Sequence, residues 1–250
     1  MIKLEKVYKT LGHRPILRGL DLEVKRGETL IIIGPSGTGK SVTLSHIIGL
    51  MRPDEGRVLV DGIDVGAQDK KGLEVLRTKI GMLFQGGALL NWMDIYDNVA
   101  LPLREKTSLS EIEIRERVMN ILEFLELKGA IHKMPSEISG GMVKRAGLAR
   151  AVVCEPKIML YDEPTSGLDP VMSRKIDSLV ELLKQRYGMT SVMVTHDLVS
   201  AVNIGDKIAM LAEGKVVEYG TPQEFMQSTH PLVREFINAQ FNTGKKVFHA

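Results

Sequence analysis

The stretch GPSGTGKS at residues 34–41 follows the continuously apolar run TLIII at 29–33 and satisfies G-x-x-x-x-G-K-[ST] at every specified position. No other feature narrows the possible folds as much, because a buried strand must end in this loop and a helix must start from it. A phosphate chain needs hydrogen-bond donors on several sides at close range. Gly34, Gly37 and Gly39 let successive backbone N–H groups turn inward with no Cβ in the way, and Pro35, Ser36 and Thr38 fill the positions between them. The helix expected over about 40–49 points its positive end at the same anion. Lys40 can then reach the β- and γ-phosphates, and the Ser41 hydroxyl can ligate Mg²⁺. The competing reading is an ordinary glycine turn between strand and helix. The spacing and the preceding strand both argue against it.

Two more runs share the character of residues 29–33: KIMLY at 157–161 and TSVMV at 190–194. Unbroken apolar strands are the mark of a parallel sheet covered on both faces by helices. By contrast, the runs at 2–8, 20–24 and 57–60 partly alternate and are separated by Gly-containing turns, as antiparallel strands are. Between the two groups, residues 88–151 read as mostly helical. Ser110 and Glu113 have capping-box spacing ahead of Val118, Ile121, Leu122 and Leu125. Asp169-Pro170 starts a further helix carrying Ile176, Leu179, Val180 and Leu183, and Thr221-Pro222-Gln223-Glu224 repeats that start signal. The fold class is therefore α/β, with no internal repeat or low-complexity tract.

Composition removes several classes of function. With 250 residues, 44% of them hydrophobic, the chain can build a full core. Lys plus Arg number 33 against 31 Asp plus Glu, so net charge gives no reason to expect a nucleic-acid partner. The one cysteine, Cys154, lies in the apolar run AVVCEP and reads as a buried thiol of a protein from a reducing compartment. The N-terminus shows no secretory signal, and the apolar runs fall far short of the roughly 20 residues that span a bilayer. A membrane role is expected to come through a partner.

A nucleotide site also needs acids. Asp162 and Glu163 end the run at 157–161, at the carboxyl end of a strand, where ligands of open α/β sheets bind. Asp162 is the candidate Mg²⁺ ligand, through water, and Glu163 the candidate base for the water that attacks the γ-phosphate. Alone, two acids at a strand end would read as a solvated turn. Gln85 and His196 each follow an apolar strand as well. A lone histidine there is more often a cap or a surface residue, but beside a phosphate loop His196 could hydrogen-bond the γ-phosphate and Gln85 could sense Mg²⁺ or water.

A second glycine-rich stretch, EISGGMVKR at 137–145, stands about a hundred residues from the first. Ser139 can N-cap a helix whose N–H groups face outward, with Gly140 and Gly141 bare enough to approach an anion. A plain Gly-Gly helix start is the alternative. GPSGTGKS, Gln85, ISGGM, IMLYDEP, SGLD and His196, in this order, resemble the ATP-binding cassette ATPases, the motor subunits of ABC transporters, over roughly residues 2–225. The resemblance implies a P-loop NTPase (RecA-like) core at 1–87 and 152–225 with an antiparallel β subdomain, an inserted helical subdomain at 88–151, and a cassette ending near residue 230. It implies ATP and Mg²⁺ as ligands, and ATP hydrolysis as the activity. Ser139, Gly140 and Gly141 would close over ATP bound by a second copy in a head-to-tail dimer, Tyr8 would stack on the adenine, and Asp169 would couple the two sites across the dimer axis. Family members usually carry Gln at the position of Met142.

A lone cassette without long coiled coils or a twin argues against the DNA-repair and translation relatives and for a subunit that docks on a separate permease. Leu89, Leu90, Trp92, Met93 and Ile95 would line the groove for the permease's coupling helix, about half of them building the helical subdomain's own core instead. Within the family, Met142-Val143-Lys144-Arg145 is similar to the Mla-type phospholipid transport ATPases that serve MCE-domain lipid carriers. That likeness implies the cytoplasmic face of a bacterial inner membrane, two permease subunits, an MCE-domain protein, a STAS-domain regulatory partner, and a C-terminal tail at 231–250 that clasps the opposite ATPase. Another ABC importer or exporter, or a non-transport ATPase acting on nucleic acid, are the alternatives.

Overall fold

A computed structural model describes residues 1–241. In chain order the elements are β1 (Ile2–Leu11), β2 (Arg14–Val24), β3 (Thr29–Ile33), α1 (Lys40–Ile47), β4 (Glu55–Val60), β5 (Ile63–Asp64), α2 (Lys70–Thr78) and β6 (Ile80–Leu83). They continue with α3 (Ile95–Lys106), α4 (Glu111–Phe124), α5 (Gly140–Val152), β7 (Ile158–Asp162), α6 (Pro170–Tyr187), β8 (Thr190–Val194), α7 (Leu198–Ile204), β9 (Lys207–Ala212), β10 (Lys215–Gly220), α8 (Pro222–Met226) and α9 (Pro231–Phe241). The described residues form two compact units, one of residues 1–68 with 192–241 and the other of residues 69–191.

The first unit contains an antiparallel sheet in the order β2-β1-β4-β5. Ile2 and Leu4 of β1 are buried while Lys3 is exposed, a period-2 alternation; a register shift between Leu4 and Val7, where Lys6 has φ +47°, offsets it by one residue, so that Val7 is buried and Tyr8 exposed. The same unit holds β10, β9, β3 and the end of β8 in that order, β3 running parallel to β9 with Leu30 opposite Lys207 and Ile33 opposite Met210. Every residue of β3 is buried. The Asp206 carboxylate accepts from the Thr29 N–H at 2.7 Å and so fixes the start of β3.

In the second unit β8 begins beside β7, and β7 lies parallel to β6 with Ile80 opposite Ile158. Helices α3, α4 and α5 pack together, burying Ile95, Val99, Leu103, Val118, Leu122, Ala146 and Leu148. The caps expected from sequence form: Ser110 and Glu113 make a reciprocal capping box, as do Thr221 and Glu224 in the first unit. Such a cap is worth about 1 kcal/mol to its helix.

Three helices escape the sequence reading, the first of them the seven-residue α7, too short to show an apolar period. The α2 helix buries only Leu76, so its apolar periodicity is too sparse to register, although Asp69 caps it by accepting from the Gly72 N–H at 2.8 Å. The α9 helix covers the first part of the expected tail and buries Val233 and Ile237. Residues 242–250, on which the clasping expectation partly rests, lie outside the described residues.

Candidate nucleotide site

At the end of β3 the chain turns through residues 34–41 in a conformation that only glycine tolerates. Gly34 has φ +144°, and a Cβ there would sit 2.2 Å from the Leu211 carbonyl oxygen. Gly39, the residue preceding α1, has φ +103°, and its Cβ would lie 2.7 Å from Leu17 Cδ2. Gly37 is also in the left-handed region, at φ +79°. Lys40 is 9% exposed, and its Nζ donates to the carbonyl oxygens of Gly34 at 2.7 Å and Pro35 at 3.0 Å. The Thr38 hydroxyl donates to the Pro35 carbonyl at 2.9 Å. The loop is thus a closed ring with an ammonium on its inner side. Ser36 and Ser41 are exposed, and α1 has no acidic side chain in its first turn to compete for its positive end. A cradle that a Cβ would fill, one buried cation and a bare helix start fit a phosphate chain.

Elsewhere in the same unit Tyr8 is 42% exposed and faces Arg18 across the β1–β2 ladder. Its hydroxyl lies over Gly19, where a Cβ would come within 2.8 Å of it. Gly19 therefore gives the ring its seat while leaving it accessible. His196 is exposed in the turn between β8 and α7, next to Asp197, which caps α7 by accepting from the N–H groups of Val199 and Ser200.

The second unit holds the other candidates. Asp162 is the last residue of β7, and Glu163 follows with φ +48°, unusual for a residue with a side chain. Such a backbone costs on the order of 1–3 kcal/mol and persists where surrounding contacts impose it. Here those contacts are visible. The Ser166 N–H donates to the Glu163 carbonyl at 3.2 Å, and so does Lys144 Nζ at 3.3 Å. Lys144 also donates to the Gln85 carbonyl, and the Gln85 side-chain amide donates to Ser166 Oγ at 3.3 Å. Gln85 and Glu163 are therefore held by one lysine that is 6% exposed, and Ser166 is hydrogen-bonded to both of them. Burial pushes the pKa of Lys144 down, and the charges of Glu163 and Asp162 partly oppose that shift.

Ser139 N-caps α5, its Oγ accepting from the Met142 N–H at 3.3 Å. Ser139 and Gly140 are exposed, and a Cβ on Gly140 would meet only Leu168 Cδ2, at 3.9 Å. Gly141 is buried, and a Cβ there would press on Met172 Cε at 2.6 Å. Asp169 caps α6 by accepting from the N–H groups of Val171 at 2.9 Å and Met172 at 3.0 Å, as its sequence position predicts. Of the residues expected to line a docking groove, Ile95 is fully buried, Trp92 is 74% exposed, and Leu89, Leu90 and Met93 lie between.

Two contributors were missed in the sequence. Asn98 holds the loop that carries Trp92: its Oδ1 accepts from the Leu90 N–H at 2.7 Å, and its Nδ2 donates to the carbonyls of Leu90, Met93 and Asp94, each at 3.0 Å. Lys144 is the other. Its signal was a cation inside KRAGLARA, a stretch whose flanking residues are otherwise those of a buried helix face.

The ABC transporter family model matches residues 17–166, and the chain belongs to that family as an ATPase subunit of a transporter. It is 43% identical over 239 residues to the probable ribonucleotide transport ATP-binding protein mkl of Mycobacterium leprae (strain TN), across 96% of this chain and 69% of that protein. It is 40% identical over 238 residues to the intermembrane phospholipid transport system ATP-binding protein MlaF of Escherichia coli (strain K12), across 95% of this chain and 88% of that protein. Among solved structures, the dimeric ABC transporter cassette MJ0796 superposes with a TM-score of 0.83 at 37% identity, covering 89% of this chain and 99% of that one. The α/β cassette expected from the sequence is therefore the fold of this protein.

Proposed function

We propose that this chain binds ATP with Mg²⁺ between two copies of itself and that the hydrolysis drives a separate membrane permease that moves phospholipid. Residues 34–41 hold the phosphates, with Lys40 as the cation and Ser41 as a metal ligand. Gln85 and Asp162 complete the metal's oxygen donors, Asp162 through water, and Tyr8 stacks on the base. Glu163 takes the proton of the attacking water, and His196 hydrogen-bonds the γ-phosphate. No group of three or more His, Cys, Asp or Glu side chains suited to a metal occurs among the described residues. Hydroxyl, amide and carboxylate oxygens that rely on phosphate and water for the remaining positions suit Mg²⁺.

The cargo reading rests on the similarity to MlaF, which runs through nearly all of both chains. The subunit does not touch what is moved, so the competing name among its relatives, ribonucleotide transport, is decided by the permease. The partners that follow are two permease subunits, an MCE-domain protein and a STAS-domain regulator, with this chain on the cytoplasmic face of the inner membrane. Among the described residues no helix is long and apolar enough to cross a membrane, which is consistent with a peripheral attachment.

Purification of the full chain from detergent-solubilised membranes, followed by reconstitution of whatever permease accompanies it, tests this. ATP-dependent movement of labelled phospholipid between vesicles is the expected result. Movement of ribonucleotide instead, or ATP turnover stimulated by nucleic acid with no membrane partner, would overturn the cargo assignment.

A further inference from the structure

The face of α5 that carries Val143, Lys144, Gly147 and Arg150 grips one short backbone segment, residues 85–88. Lys144 donates to the Gln85 carbonyl at one end of the segment, and Arg150 Nη1 donates to the Ala88 carbonyl at the other. Between them the helix is cut away to let the backbone in. A Cβ on Gly147 would lie 2.7 Å from the Gly87 oxygen and 3.0 Å from its Cα, and a Cβ on Gly87 would lie 3.0 Å from Val143 Cγ1. Positions 143, 147 and 150 recur at i, i+4 and i+7, so one helix face makes all these contacts. The gripped backbone is not relaxed: Gly87 has φ +76° and Ala88 φ +52°.

Lys144 reaches further, to the carbonyl of Glu163, whose backbone is also left-handed at φ +48°. A buried ammonium with two carbonyl acceptors from different loops fixes the distance between those loops, because releasing either carbonyl leaves a desolvated charge short of a partner. Resting on the assignment of Gln85 and Glu163 to hydrolysis made above, we propose that Lys144 is a positioning residue. It ties the Gln85 segment to the Glu163 turn, and both to the helix that begins at residues 139–141. In this account the helix start that meets the second copy and the groups that act on the nucleotide's terminal phosphate move together.

Lys144→Met in the full chain, which keeps length and apolar stem but cannot donate, is the test variant. Two readouts are needed. In nucleotide-free protein, amide exchange of the peptide spanning 84–89 should quicken by about tenfold while that of β3 is unchanged, matching the loss of a charge-assisted hydrogen bond. In steady-state hydrolysis, kcat should fall by about tenfold with KM for ATP nearly constant, the pattern of a lost transition-state contribution. Lys144→Arg, which can still reach two carbonyls, should restore most of both. Unchanged exchange in 84–89, exchange quickened equally in β3, or parental kcat in the Met variant would each overturn the proposal. Should the parent chain itself not hydrolyse ATP, the roles given to Gln85 and Glu163 fail, while the exchange measurement still decides whether Lys144 holds the two loops.

Discussion

The two glycine-rich stretches of this molecule use the same residue for opposite ends. At 34–41 the glycines are locked in: three have positive φ, and side chains at Gly34 or Gly39 would strike atoms of the chain itself. At 139–141 the backbone is ordinary helix start, Ser139 already caps it, and Gly140 faces nearly open space. The first is a finished receptacle that its own unit completes. The second leaves Ser139 and Gly140 exposed on a single copy, and this contrast supports the proposal that the nucleotide lies between two copies.

Substitutions should separate the two stretches by what they damage. The largest effect is expected for Lys40→Ala, which removes the buried ammonium of the first ring and should weaken ATP binding by about a hundredfold or more, as measured by equilibrium binding. Gly34→Ala comes next. It combines a forbidden φ with a 2.2 Å backbone approach and should lower stability by about 3 kcal/mol or more in denaturant unfolding. Ser139→Phe should leave nucleotide affinity of the isolated subunit within about twofold while cutting turnover by about tenfold or more, since it blocks a face and not a cradle. Loss of affinity in the monomer would show that this stretch acts on its own chain's nucleotide. Gly140→Ala should do least, staying within about 1 kcal/mol of the parent in the same unfolding experiment, because the position is helical and open.

What could be read from the sequence was local. The ring at 34–41, the caps at Ser110, Ser139, Asp169 and Thr221, and the buried strands β3, β7 and β8 each declare themselves within a few residues, and each formed where expected. The missing parts depend on backbone groups brought together from distant positions. Nothing near Lys144 in sequence indicates that the carbonyls of Gln85 and Glu163 will surround it, and nothing near Asn98 announces a four-bond hold on residues 90–94. The left-handed φ of Glu163 is likewise invisible, because a glutamate carries no local preference for it. The split of the expected docking residues between Ile95 in the core and Trp92 on the surface required the packing of α3.

ATP held between two copies of the chain is the claim that a single variant can test. Glu163→Gln removes the proposed base while sparing every phosphate donor, so with ATP and Mg²⁺ it should bind nucleotide at parental affinity without turning it over. Sedimentation of that variant with ATP, in the presence of its membrane partner, should show two copies of the chain per particle that separate when ATP is exchanged for ADP. Particles holding a single ATP-loaded copy would contradict it.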